Sequence, residues 1–322
     1  MKIAVLSGGV GGARFLRGLL HHLDQTRPAG TTEVTVIANT GDDITLFGLR
    51  VCPDVDTILY TLGAGVEERA GWGRAQESFR LQAELTEYGL QPQWFRLGDL
   101  DLATHIARSQ WLGQGLTLSA VTARLAARWG LPERGVTLLP MTDVPVETHV
   151  VVDDGERRAI HFQEWWVRHH ASLPAEQFVV AGLDRATAAP GVLDAIRGAD
   201  VVLLPPSNPV VSIGIILGVP GVRDALRGTP ARVVGVSPII GGAPVRGYAD
   251  ACLAALGVPA TAEAVAGLYT DFLHTWLVDP TDADAAVPGV RTVAHGEELL
   301  MRDVAASARI AGHALALAEV GG

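Results

Sequence analysis

The sequence predicts an α/β protein, an open parallel sheet with helices on both faces and a largely helical insertion. Three observations carry this. Short β-branched runs at residues 2–7 and 33–39 flank an amphipathic stretch at 13–23, the β-α-β order that demands a parallel pair. A second series of strand-like runs, at 178–181, 201–204 and 233–236, alternates with helix-like stretches at 191–197 and 219–226. Between the two series the pattern changes, with long helical periodicities at 75–88, 100–112 and 118–129.

Taken in order, residues 1–65 form the first half of the core, 66–169 the insertion and 170–322 the second half. The insertion closes on a hairpin over 150–160, punctuated by Asp154-Gly155. An Ala-rich helix over 307–320 ends the chain. At 322 residues with 48% hydrophobic and 19% charged side chains, the chain can bury a large core, so function belongs in a pocket. A net charge of -10 argues against a general binder of nucleic acid or membrane surfaces. Cys52 and Cys252, far apart in apolar surroundings, indicate neither a disulfide framework nor a cysteine metal site. The opening Met1-Lys2-Ile3-Ala4-Val5-Leu6 lacks the regions of a secretory signal, so a cytoplasmic location is expected. The apolar stretch 201–222 is broken by prolines and glycines and makes a poor membrane span.

In an open parallel sheet, ligands bind beyond the carboxyl ends of the strands. After the first strand come Gly8, Gly9, Val10, Gly11 and Gly12, which let backbone amides approach an anion at a helix start. The third small residue of a dinucleotide fingerprint is missing, since Arg14 stands there, a side chain suited to phosphate. This disfavours a nicotinamide oxidoreductase. After the second strand, Asn39-Thr40-Gly41-Asp42-Asp43 places two carboxylates where the sheet opens, and Asp54 and Asp56 follow. Such acids beside a diphosphate suit a Mg²⁺ held by Asp42 and Asp43, while helix capping and turn formation remain alternatives, above all for Asp54 and Asp56. Two later strand ends carry Ser207-Asn208-Pro209 with Ser212, and Ser237 with Gly241, groups that bind rather than act as bases. Asp101 and His105 are one helical turn apart, but without a third ligand they read as packing or surface residues, with Asp99 as a helix cap. The aromatic run 161–166 is core or the wall of a pocket for a flat ligand.

Together, residues 8–15, 39–43, 53–57, 98–105, 206–209 and 237–241 resemble, in order, the 2-phospho-L-lactate transferase family of coenzyme F-420 biosynthesis, in its actinobacterial phosphoenolpyruvate transferase branch. The likeness to that branch lies in residues 158–168. The resemblance implies a Rossmann-like fold. It also implies a Mg²⁺-dependent transfer of a phosphoenolpyruvyl or 2-phospho-L-lactyl group from a guanosine diphosphate-linked donor to the terminal hydroxyl of the deazaflavin FO, with release of GMP. Asp42 and Asp43 would then be catalytic and hold the metal. Gly9, Val10, Gly11, Gly12, Arg14, Asn39, Thr40, Asp56, Ser207, Asn208, Pro209, Ser212, Ser237 and Gly241 would contact substrate, and the insertion would cover the acceptor. The partners expected are small molecules, with a homodimer left open. A non-catalytic regulator that binds nucleotide sugars is the competing reading.

Overall fold

The computed structural model describes residues 1–319; Val320, the last residue of the expected C-terminal helix, lies outside the described residues. The chain opens with β1 (Lys2–Ser7), α1 (Gly9–Thr26) and β2 (Glu33–Ala38). A short hairpin, β3 (Ile44–Leu46) and β4 (Leu49–Val51), leads into α2 (Pro53–Leu62). Then come α3 (Arg80–Glu87), α4 (Asp99–Gly113) and α5 (Leu118–Arg128). Four strands follow: β5 (Val136–Pro140), β6 (Glu147–Asp153), β7 (Arg157–His161) and β8 (Ala175–Ala181). The second half begins with α6 (Val192–Arg197), β9 (Val201–Leu204), α7 (Gly214–Gly218), α8 (Val222–Gly228) and β10 (Arg232–Val236). After the two-residue strands β11 (Ile239–Ile240) and β12 (Ala243–Pro244) come α9 (Ala249–Ala254) and α10 (Ala262–Gly267). The chain ends with β13 (Thr275–Val278), β14 (Arg291–Ala294) and α11 (Val304–Glu319).

Seven strands form one parallel sheet in the order β14-β13-β10-β9-β1-β2-β5. The chain winds outward from β1 through β2 to β5, returns to place β9 on the other side of β1, and winds outward again. The fold is thus a doubly wound, Rossmann-like α/β sheet, and its strand order reverses between β1 and β9. Successive residues of β1 point to opposite faces. Ile3 and Val5 pack with Leu16 and Leu19 of α1 and Ile310 of α11, whereas Ala4 and Leu6 pack with Val192 and Ile196 of α6 and Val222 of α8. Strands buried on both sides explain the unbroken apolar runs.

Residues 178–181 depart from the expected parallel series. They belong to β8, which pairs antiparallel with β6 in a separate three-stranded sheet, β7-β6-β8. The cause is legible in burial: β9 is buried at all four positions, while β8 alternates and leaves Val179 42% exposed. The expected hairpin is present, closing with Asp153 opposite Arg157. Within the 66–169 stretch, β5 runs parallel to β2 as the edge of the main sheet. Among the described residues no single helix is long and apolar enough to cross a membrane.

Candidate functional site

A cavity of about 620 Å³ opens where the strand order reverses. One end is built at the carboxyl ends of the strands, from Gly8 to Gly11 after β1, Asp42 after β2, Pro206 to Asn208 after β9, and Ser237 after β10. The insertion contributes Phe95, Arg96, Asp101, His105, Trp166 and Val167 to the rest of the lining.

The glycine loop has the shape that its sequence requires. Gly9 has φ +65°, a left-handed conformation that side chains resist. A Cβ on Gly11 would run into the Pro206 carbonyl oxygen, so this glycine lets the loops after β1 and β9 close on each other. Ser207 locks the pair, its hydroxyl donating to Gly8 O at 2.8 Å and accepting from Gly8 N–H at 3.2 Å. Helix α1, 18 residues long, starts at this wall with no acid in its own first turn, and Asp54 of α2 accepts the Gly9 N–H at its positive end. Arg14 lines the cavity one turn further on. Burial, with Arg246 and Arg17 nearby, lowers its pKa. Val10 also faces the cavity; Gly12 sits behind it, against the hydroxyls of Ser7 and Ser207.

The acids divide into two groups. Asp42 and Asp54 both line the cavity and share one donor: Asn39 Nδ2 reaches Asp42 Oδ1 at 2.7 Å and Asp54 Oδ2 at 2.9 Å. Asn39 Oδ1 accepts Gly41 N–H at 2.9 Å, which fixes the amide's orientation. Burial raises both carboxyls, Asp54 to about 6 and Asp42 well above the ordinary range, where the neighbouring Asp54 charge adds to the effect. Asp43 is elsewhere: fully buried, it stands outside the cavity wall, accepts Cys52 Sγ–H at 3.0 Å and lies 3.5 Å from Arg50 Nε. Burial lifts it to about 7, although Arg50 pulls the other way.

Asp56 lines the cavity but is paired with Arg108, which reaches both its carboxylate oxygens, one at 3.0 Å. Arg108 is fully buried on α4, one turn beyond His105. Asp101 accepts Tyr60 Oη–H at 2.6 Å. Burial opposes its charge, yet His105, Tyr60 and Arg108 hold it below the usual carboxylate range.

Of the remaining sequence-selected residues, Asn208, Ser212 and Ser237 line the cavity. Asn208 Oδ1 also caps the following turn at Val210 N and Val211 N, and Ser237 Oγ holds the turn to Ile239. Thr40 is buried, Pro209 starts a π-helical turn and Gly241 N–H donates to Asp282; all three stand outside the cavity wall. Asp99 is a correction to the capping expectation. It caps α3 rather than its own helix, accepting from Leu81 N at 3.1 Å, while Glu77 accepts Leu100 N and Asp101 N at the start of α4.

Sequence reasoning left Asp54 open between a metal or substrate contact and a helix cap, because Asp is common at helix starts. Arg108 and Arg246 gave no local signal, since their partners come from distant segments. Among the described residues, no group of three His, Cys, Asp or Glu side chains is arranged to hold a metal ion. A cation here would share two carboxylates with ligand oxygens.

Comparison with known proteins identifies the family and agrees with the fold. The chain is 61% identical to a phosphoenolpyruvate transferase of Thermobifida fusca over 99% of this chain and 98% of that one. It is 57% identical to a phosphoenolpyruvate transferase of Kitasatospora aureofaciens over the same shares. A solved structure of a Bacillus halodurans protein superposes with a TM-score of 0.62 at 18% identity, covering 98% of this chain and 99% of that one, which speaks to the fold alone. The profile of the family described as 2-phospho-L-lactate transferase CofD matches residues 3–311, and the chain belongs to this family of transferases.

Proposed function

We propose that this protein transfers a phosphoenolpyruvyl or 2-phospho-L-lactyl group from a guanosine diphosphate-linked donor to the terminal ribityl hydroxyl of the deazaflavin FO, releasing GMP. The observation that carries this reading is one cavity whose lining includes both the glycine loop at the start of α1 and, from the insertion, Phe95, Arg96 and Trp166. The donor's phosphates occupy the first end. The amides at the start of α1 and the guanidinium of Arg14 hold their charge, while Ser207, Asn208 and Ser237 fix the donor at the strand ends. The flat acceptor occupies the second end, against Phe95 and Trp166. The names of the curated relatives favour the phosphoenolpyruvyl donor.

The reaction asks for alignment and charge control more than covalent help. The acceptor hydroxyl attacks the phosphorus that bears the three-carbon acid, and the bond from that phosphorus to the GMP oxygen breaks. Asp42 and Asp54 fit a Mg²⁺ ion, being two cavity-facing carboxylates held side by side by one amide. When bound there, the ion neutralises charge on the diphosphate and on the departing phosphate. Asn39 sets the spacing of the two carboxylates. In this reading Asp54 replaces Asp43 as the second metal ligand, and Asp42 or Asp54 orients the attacking hydroxyl. Arg14 stabilises negative charge on the transferred group.

Mass spectrometry after incubation with FO, Mg²⁺ and each guanosine diphosphate-linked donor in turn tests the proposal. FO carrying the phosphoenolpyruvyl group, together with GMP, is the expected product. FO recovered unchanged with every donor overturns the reading.

A further inference from the structure

Two guanidinium groups meet at the cavity wall beside the glycine loop. A Cβ on Gly71 would stand 3.3 Å from Arg14 Nη2 and 3.5 Å from Arg246 Nη1, and both arginines line the cavity. Among the described residues Arg14 has no hydrogen-bond or ion-pair partner, and Arg246 has only the Ala70 carbonyl oxygen, to which Nη2 donates. Arg17, one turn further along α1, spends its charge on Glu68 at 2.6 Å. The Arg14 and Arg246 charges therefore stand close together with no counter-ion in contact.

The segments that meet here are anchored separately. Residues 66–74 form a loop fixed at its neck: Ala75 N–H donates to Gly65 O at 2.8 Å, Val66 bridges Arg74, and the Arg74 guanidinium lies 5.1 Å from the Trp129 ring. Its tip is held more lightly. Gly71, at φ +74°, rests on Val10 of the glycine loop, and Trp72 lines the cavity while 46% exposed. Across from it, residues 241–248 carry Arg246 and pack on the insertion through Tyr248, whose ring lies 4.9 Å from that of Trp166. Among the described residues, the bond from Arg246 to Ala70 is the one hydrogen bond between these two segments.

We propose that residues 66–74 and 241–248 form a two-part lid over the glycine-loop end of the cavity, latched by Arg246 on Ala70, and that an anion held between Arg14 and Arg246 locks it shut. The inference rests on the reading that the donor's phosphates bind at that end. Closed, the lid presents two guanidinium groups to the anion; open, it leaves Arg14 alone. That difference in affinity couples binding to closure. Arg246 is thus a positioning residue for the lid. Closure keeps out water, which would otherwise compete with the acceptor hydroxyl for the phosphorus.

Limited proteolysis of the full-length protein with trypsin tests this, because Arg69 is exposed within the lid and cleavage there follows the population of the open form. Saturating GDP with Mg²⁺, its binding established by calorimetry, should slow cleavage after Arg69 at least about tenfold in the wild type, the factor that one charged hydrogen bond supplies. Arg246→Ala without ligand should be cut severalfold faster than the wild type. GDP at a concentration that saturates this variant should change its rate by less than about twofold. Cleavage at sites outside the cavity wall and Tm serve as controls. GDP that binds the wild type without slowing cleavage after Arg69 overturns the lid and leaves the proposed function standing, as does equal protection in a folded Arg246→Ala protein. Failure of GDP to bind overturns the donor reading and this inference with it. The wild-type measurement needs no variant, so a misfolded Arg246→Ala protein still leaves a decision.

Discussion

Asp42 and Asp43 are neighbours in sequence with opposite surroundings, and their environments predict opposite consequences for the same substitution. Asp43, lifted to about 7 by burial, is half neutral near neutral pH, so an amide is a fair copy of its protonated form. Asp43→Asn should keep kcat/KM within about tenfold of wild type. Asp42→Asn and Asp54→Asn should each lose at least about a hundredfold, or roughly 2.7 kcal/mol of transition-state stabilisation, measured with saturating Mg²⁺. The reverse order would place the metal at Asp43. The pH dependence follows from the same burial. Asp54 titrates at about 6 in the folded protein, above its ordinary range. Between about pH 4 and 6 the metal-free native state therefore binds more protons than the unfolded chain, so this group destabilises the fold as pH rises through that window. A bound cation needs the ionised form and removes that penalty. The increase in Tm produced by Mg²⁺ should accordingly be larger at pH 7.5 than at pH 5.5, and binding at pH 6 should release protons, seen as a buffer-dependent heat in calorimetry.

At the level of elements, the sequence is most informative where one segment contains its own explanation. The glycine loop and α1 are legible because Gly9 answers a local demand of conformation, whereas the reason for Gly11, the Pro206 carbonyl, lies in a distant segment. The hairpin is legible from its Asp-Gly turn. The strand at 178–181 is a misreading of a different kind, because a short apolar run says nothing about which sheet it joins. The ion pair beside the cavity wall on α4 was also hidden. Asp56 with Arg108 is a pairing across 52 residues, which no local spacing encodes. The reciprocal capping of α3 and α4 shows how such distant pairings position the site. Glu77 accepts the amides of Leu100 and Asp101 at 2.9 and 2.7 Å, tying the loop before α3 to the first turn of the helix that carries Asp101 and His105. Glu77→Ala should therefore cost about 1 kcal/mol of stability, the usual loss for a helix cap. It should also raise the KM for the acceptor several-fold while leaving that for the donor unchanged. Urea unfolding and initial rates with each substrate varied in turn would check both.

For the whole molecule, the reversal of strand order between β1 and β9 concentrates function in one crevice, and the insertion supplies a second wall that the parallel sheet alone lacks. The two walls come from segments with different folding environments. The loop after β9 is locked to β1 through Ser207 and Gly8. Residues 67–75 and α3 depend on a few polar ties, Arg17 to Glu68 and Arg246 to the Ala70 carbonyl among them. Exposed Trp72, Phe79 and Tyr88 in this region show that it buries less apolar surface than the core, so its amides belong to the part of the molecule that opens at low free energy. Ligands that bind the native state alone stabilise it by mass action, about 2.7 kcal/mol at a hundredfold excess over Kd, and that stabilisation appears first where local opening would break their contacts. Hydrogen exchange should thus separate the two ends of the cavity. GDP with Mg²⁺ should slow exchange at residues 8–14 and 205–213, with little effect on 78–106. FO added to that complex should slow exchange across 95–106 and 161–168. Protection of 95–106 by GDP alone would mean that the nucleotide, rather than the deazaflavin, lies beneath that part of the insertion, and the assignment of the two ends would have to be exchanged.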